Sequence, residues 1–176
     1  MKKHEIITVF FSIAVAMIIG SVSPALASND LVCDSIVNRG VYDNVTVPKG
    51  ESCILNNVTV NGNIHAVGAS SVVIVYSTIE GNIHIQKTVG LALIQKVDVG
   101  GNVVMVNNEN SRFFTGISDS TIDGNVQFSH HPHSGLFIKD NQIGKNLNCS
   151  QNDPISGVNT NTVQGKINCK QIDPTD

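Results

Sequence analysis

The chain has 176 residues, with 11 basic and 14 acidic side chains and a formal charge of −3. No basic stretch occurs, which argues against nucleic acid as a partner, and the charges are scattered, which argues against an acidic tail. Trp is absent and aromatic residues make up only 5%, so the core cannot rest on large aromatics. The abundant Val, Ile, Thr, Asn and Gly point instead to many short strands separated by turns.

The N-terminus reads as an export signal. Lys2 and Lys3 precede a mostly apolar stretch from Ile6 to Gly20, Pro24 breaks it, and Ala25-Leu26-Ala27 offers small residues where a signal peptidase reads. The apolar stretch is short for a bilayer span, which needs ~20 apolar residues. Cleavage after Ala27 is expected, so that residues 1–27 are a signal peptide and residues 28–176 form the folded domain, located outside the cytoplasm in the periplasm or the medium. No membrane span is expected after cleavage.

From Val41 onward a repeat dominates. Its unit is an aliphatic residue, a variable residue, Gly, Asn, an aliphatic residue, a polar residue and an apolar residue. It reads Val60-Asn61-Gly62-Asn63-Ile64-His65-Ala66 and recurs from Ile79, Val99 and Ile122, with weaker copies from Val41, Ile143 and Val163. The successive spacings are 19, 19, 20, 23, 21 and 20 residues. A unit this short cannot bury its own apolar face, and stacking the units creates one continuous core. The leucine-rich-repeat pattern is missing, and the variable spacing breaks the strict register of a left-handed hexapeptide helix.

These features predict an all-β, single-domain, right-handed parallel β-helix of about seven coils, the hand following from the usual chirality of parallel crossovers. Alternation places Ile64 and Ala66, Ile83 and Ile85, Val103 and Met105, and Val126 and Phe128 inside. A second strand is expected at Val72 to Tyr76, with counterparts near Leu91 to Ile94, Phe113 to Ile117 and Leu136 to Ile138. The Gly column is expected to supply positive φ at a tight corner. The next column, Asn44, Asn63, Asn82, Asn102, Asn125 and Asn146, is expected to stack amide on amide at the ~4.8 Å strand spacing.

Four cysteines in an exported chain suggest two disulfides. Cys33 and Cys53 are 20 residues apart, as are Cys149 and Cys169. Each gap equals one coil, so each pair is expected to bridge neighbouring coils, one near each end of the solenoid. Zinc is a poor rival, because no Cys-x-x-Cys spacing occurs.

Asn141-Gln142-Ile143-Gly144-Lys145-Asn146-Leu147-Asn148-Cys149, Asn152-Asp153-Pro154, Asn161-Thr162-Val163-Gln164-Gly165 and Cys169 together resemble the C-terminal part of small secreted bacterial right-handed parallel β-helix proteins. The resemblance implies fold and export. It implies no activity and supplies no catalytic residues. Pectate lyases and polygalacturonases are larger right-handed β-helices, which is an analogy of fold alone.

A polysaccharide-cleaving enzyme needs clustered carboxylates, often with calcium or an Arg base. Glu80, Asp98, Glu109, Asp119, Asp123 and Asp140 are spread over the coils, Arg39 and Arg112 are the only arginines, and no Gly-x-Ser-x-Gly elbow occurs. A non-enzymatic structural or binding module, with an extracellular glycan or surface ligand as partner, is therefore the leading expectation, and a carbohydrate-active enzyme is the alternative. A Thr column at 59, 78, 121 and 162 is interrupted by Asp98 and Gln142, which removes the flat array an ice-binding surface needs.

The histidines carry the remaining chemistry. His65 and His84 are expected to stack on one outward column. The two longest coils begin at 99 and 122, and their extra residues, placed after Met105 and after Phe128, are expected to gather Glu109, Arg112, His130, His131 and His133 into one surface patch. Neutral imidazoles bind zinc, copper or nickel, so His130, His131 and His133, with Glu109, are expected to hold a divalent transition metal weakly. The rival reading is an ordinary polar loop. No other cofactor is expected.

Overall fold

A computed structural model describes residues 28–108, 114–132, 135–152 and 155–170. Among them the chain winds as an all-β solenoid of about six turns in which every strand pairing is parallel. The signal-peptide expectation falls on residues 1–27, which lie outside the described residues. Among the described residues no helix is long and apolar enough to cross a membrane.

Each central coil carries three strands, one more than the repeat alone suggested. The first column is an eight-stranded sheet that includes Ile64–Val67, Ile83–Gln86, Val103–Val106 and Val126–Ser129. The second includes Ser71–Val75, Ala92–Gln95, Thr115–Ser118 and Leu136–Lys139. The third is made of two-residue strands such as Thr78–Ile79, Asp98–Val99 and Thr121–Ile122. The nine-residue strand Ser52–Val60 runs through the second and third columns and joins them into one eleven-stranded sheet.

The core follows from the period of two. Ile64, Ala66, Ile83, Ile85, Val103, Met105, Val126 and Phe128 are fully buried, as the alternation requires, and Leu55, Ile74, Ile94, Ile117 and Ile138 face them from the second column. β-Branched residues suit this interior because each stacks on its equivalent one rung away. The Thr column is in register from Thr59 through Thr78, Asp98, Thr121 and Gln142 to Thr162, so Asp98 and Gln142 interrupt it as expected.

The Asn column stands at a corner and works as anticipated. The backbone N–H of each Asn donates to the side-chain oxygen of the Asn one coil before it, from Asn63 onto Asn44 at 3.0 Å through Asn146 onto Asn125 at 3.2 Å. The amide nitrogens of Asn82, Asn102, Asn125 and Asn146 donate to the same oxygens at 2.9 to 3.1 Å.

The neighbouring Gly column corrects the sequence reading. Gly62, Gly81, Gly101 and Gly124 do not have positive φ. They are glycine because the coil below touches them: a Cβ on Gly81 would lie 2.4 Å from the carbonyl oxygen of Gly62, and one on Gly124 would lie 2.4 Å from that of Gly101. Positive φ instead falls at two other corners, on residues with side chains. One series is Lys87, Asn107, His130 and Gln151, and the other is Tyr76, Lys96, Asp119 and Asp140.

Cys33 bonds Cys53 and Cys149 bonds Cys169, with Cα separations of 5.5 and 4.5 Å. Both bonds join adjacent coils near the two ends of the stack. In a solenoid each coil is held only by its neighbours, so end coils open first. Replacing all four cysteines by Ser is therefore expected to admit protease near residues 31–47 and 147–168 while amides between Ile64 and Val126 keep their hydrogen-exchange protection. Uniform loss of protection along the chain would show instead that the bonds hold the whole stack.

Candidate ligand-binding face

Two of the three corners carry an internal ladder in which a side chain accepts the backbone N–H of the coil before it. At one, Ser120 N–H donates to Asn141 Oδ1 at 3.0 Å and Asn141 N–H to Asn161 Oδ1 at 3.0 Å. The amide nitrogens of these two Asn turn back onto the carbonyls of Ile117 and Ile138. At the other, Thr88 N–H donates to Asn108 Oδ1, Asn108 N–H to His131 Nδ1, and His131 N–H to Asn152 Oδ1, at 3.0, 3.3 and 2.9 Å. Each side chain satisfies a backbone donor that the turn would otherwise bury unpaired.

His131 thus occupies an asparagine's place. Its Nδ1 accepts from Asn108, its Nε2–H donates to the Met105 carbonyl at 3.1 Å, and its ring packs 4.2 Å from that of Phe128. This arrangement requires the neutral ring with the proton on Nε2. Burial is the main reason its pKa falls to about 4, and the Nε2–H bond to the Met105 carbonyl opposes that shift.

Two members of the expected surface patch differ in exposure from one another. His131 is fully buried with both ring nitrogens engaged, whereas His130 and Pro132 are exposed. His133, Glu109 and Arg112 lie outside the described residues. Among the described residues no group of three or more His, Cys, Asp or Glu is placed to hold a metal ion. The extra residues of the long coils also enter later than expected, after Asn108 and His131, because those two remain in register across the corner.

His65 and His84 do stack outward on adjacent rungs, with ring centroids 5.2 Å apart. Glu80, Asp98 and Asp123 border a shallow depression around Gly100 on the third column. Its floor is a corner of backbone rather than a cleft.

A markedly apolar concavity lies on the outer face of the second column. Leu93, Gly116 and Phe137 occupy equivalent outward positions on three successive rungs. Gly116 leaves room for the Phe137 ring to lie across it, since a Cβ there would come within 2.7 Å of that ring. Phe114, 64% exposed, meets Phe137 edge to face with centroids 6.5 Å apart. Gln95 and Lys139 stand alongside as polar groups, in register on either side of the buried Ser118, and the Lys139 ammonium lies 5.8 Å from the Phe137 ring. The depression measures about 530 Å³. Sequence reasoning missed it because it treated the second strands as core alone. The signal was available in the outward aromatic of the Leu136–Lys139 strand beside a Gly on the preceding rung.

Fold and surface define the class: a disulfide-bonded parallel β-solenoid with polar ladders at its corners and one aromatic-bearing outer face. No family model, curated protein or solved structure matches the chain.

Proposed function

We propose that this chain is an exported, non-catalytic solenoid that binds an extracellular carbohydrate on the face bearing Leu93, Phe114 and Phe137. The observation that carries the reading is the pairing of the exposed Phe114 and half-exposed Phe137 rings with the polar side chains of Gln95 and Lys139. Isolated apolar side chains on a surface need no explanation, but a contiguous apolar depression rimmed by polar groups marks a binding site. A sugar ring presents an apolar C–H face and a rim of hydroxyls. The first fits the rings of Phe114 and Phe137, and the second fits the amide of Gln95 and the ammonium of Lys139. Export is supported by the N-terminal pattern and by two disulfides, which persist in oxidising compartments.

A polysaccharide panel tests the reading. Wild-type protein is expected to be retained by at least one polymer, and Phe137→Ala or Phe114→Ala to weaken that retention at least tenfold with the circular dichroism unchanged. Retention equal in wild type and both variants would move the site elsewhere. A second reading, polysaccharide cleavage, draws on Glu80 and Asp123 flanking the Gly100 notch with Asp98 beside it. Release of reducing or unsaturated sugars, abolished by Asp98→Asn or Asp123→Asn, would replace the first reading by the second.

A further inference from the structure

We propose that His65 and His84 form a two-imidazole chelating site for a late first-row divalent cation, on a face separate from the aromatic depression and independent of the carbohydrate reading. The two residues sit in the strands Ile64–Val67 and Ile83–Gln86, which pair in parallel with His65 opposite His84. Both side chains point outward because Ile64, Ala66, Ile83 and Ile85 take the inward positions. Flanking rungs hold both strands, with Thr46 beside His65 and Val104 beside His84. The backbone separation of the two imidazoles is therefore fixed before any ion arrives, which reduces the ordering cost that usually weakens a surface chelate.

The ring spacing matches that of two imidazoles turned onto one ion. The centroids are 5.2 Å apart and the planes are inclined by 55°. With metal–nitrogen bonds of about 2.0–2.1 Å, a bound ion lies about 3.2 Å from each centroid. Two such centroids 5.2 Å apart subtend about 110° at the ion, the angle of a tetrahedral centre, and a small closing rotation reaches the right angle of a tetragonal one. Neither ring is committed to the fold in the way His131 is. The only side-chain hydrogen bond at the pair joins His84 Nε2 to Gln86 Oε1, at 3.4 Å. That amide oxygen stands on the same face and is placed to serve as a third donor. Imidazole donors favour zinc, copper and nickel over magnesium and calcium, and water would complete the coordination.

Titration of the intact protein with zinc(II) by calorimetry, and with copper(II) followed by electron paramagnetic resonance, tests the site. One equivalent is expected to bind in each case, with nitrogen hyperfine structure from two imidazoles in the copper spectrum. His65→Ala and His84→Ala are each expected to weaken binding at least tenfold and remove that two-nitrogen pattern. Both positions face solvent, and unchanged circular dichroism checks that the fold is kept. His130→Ala is expected to bind as wild type does. Binding that survives both His65→Ala and His84→Ala, or that disappears in His130→Ala, overturns the proposal.

Discussion

Acidification from pH 7 to pH 4 is expected to remove about 3 kcal/mol of stability from the wild-type protein through His131 alone. The folded-state pKa of His131 is about 4, against 6.5 for an unperturbed imidazole. Its pKa is lowered on folding, so its contribution is fully present above pH 6.5 and declines as pH falls toward 4, where the unfolded chain binds a proton that the folded one resists. The main structural cause is burial, which disfavours the charged ring against Phe128; in addition, a protonated Nδ1 would face as a second donor the Asn108 N–H that it now accepts at 3.3 Å. Positive charge on the adjacent His130 acts in the same direction as burial. Asp30, held below the usual carboxylate range by its hydrogen bond from Asn44, loses its contribution only at more acid pH.

His131→Asn separates this effect from general acid sensitivity. Asn152 and Asn161 already perform the same double role, accepting from a backbone N–H and donating to a carbonyl of an earlier coil. Asparagine is smaller and leaves space beside Phe128, so the variant is expected to lose about 1 kcal/mol at pH 7. Between pH 6.5 and 4 its urea midpoint is expected to hold nearly level while that of the wild type falls, so that the two curves cross. Parallel decline of both proteins would assign the acid sensitivity to other groups.

His131 also marks the limit of what the sequence revealed. The inward and outward faces, the Asn ladder and both disulfides followed from the repeat, because stacking forces equivalent residues onto one column and a period of two assigns their sides. The corner beyond the strand did not follow. His130-His131-Pro132-His133 resembles a polar loop, and polar residues are ordinarily exposed. Yet His131 falls nine positions after its anchor Ile122, as Ala69, Thr88, Asn108 and Asn152 do after theirs. Carrying the register through the turn would have placed it inside. The aromatic depression was hidden for another reason: the second strands were read for their inward residues alone, which left the outward Leu93, Gly116 and Phe137 out of account.

The glycine column shows the same limit, since composition does not distinguish a glycine required by φ from one required by proximity. Gly101→Ala is expected to cost about 3 kcal/mol, the upper end for inserting one methyl group into packed structure. The new Cβ would lie 2.5 Å from Gly81 O and 2.6 Å from Asn82 Oδ1. Neither oxygen is free to retreat: Gly81 O accepts Gly101 N–H at 2.9 Å, and Asn82 Oδ1 accepts both nitrogens of Asn102, at 2.8 and 3.0 Å. Relief requires the two coils to separate, which stretches those three hydrogen bonds together and loosens the packing of Val103 on Ile83 beneath them. Gly50→Ala is the matched control. Gly50 has φ +83° but nothing within 4 Å of its would-be Cβ, so alanine there carries only the left-handed backbone cost of about 1 kcal/mol. Chemical unfolding of both variants at pH 7 compares the two causes directly. A loss at Gly101 no greater than that at Gly50 would mean that coil spacing yields easily to a methyl group, and that close approach is not what holds glycine in this column.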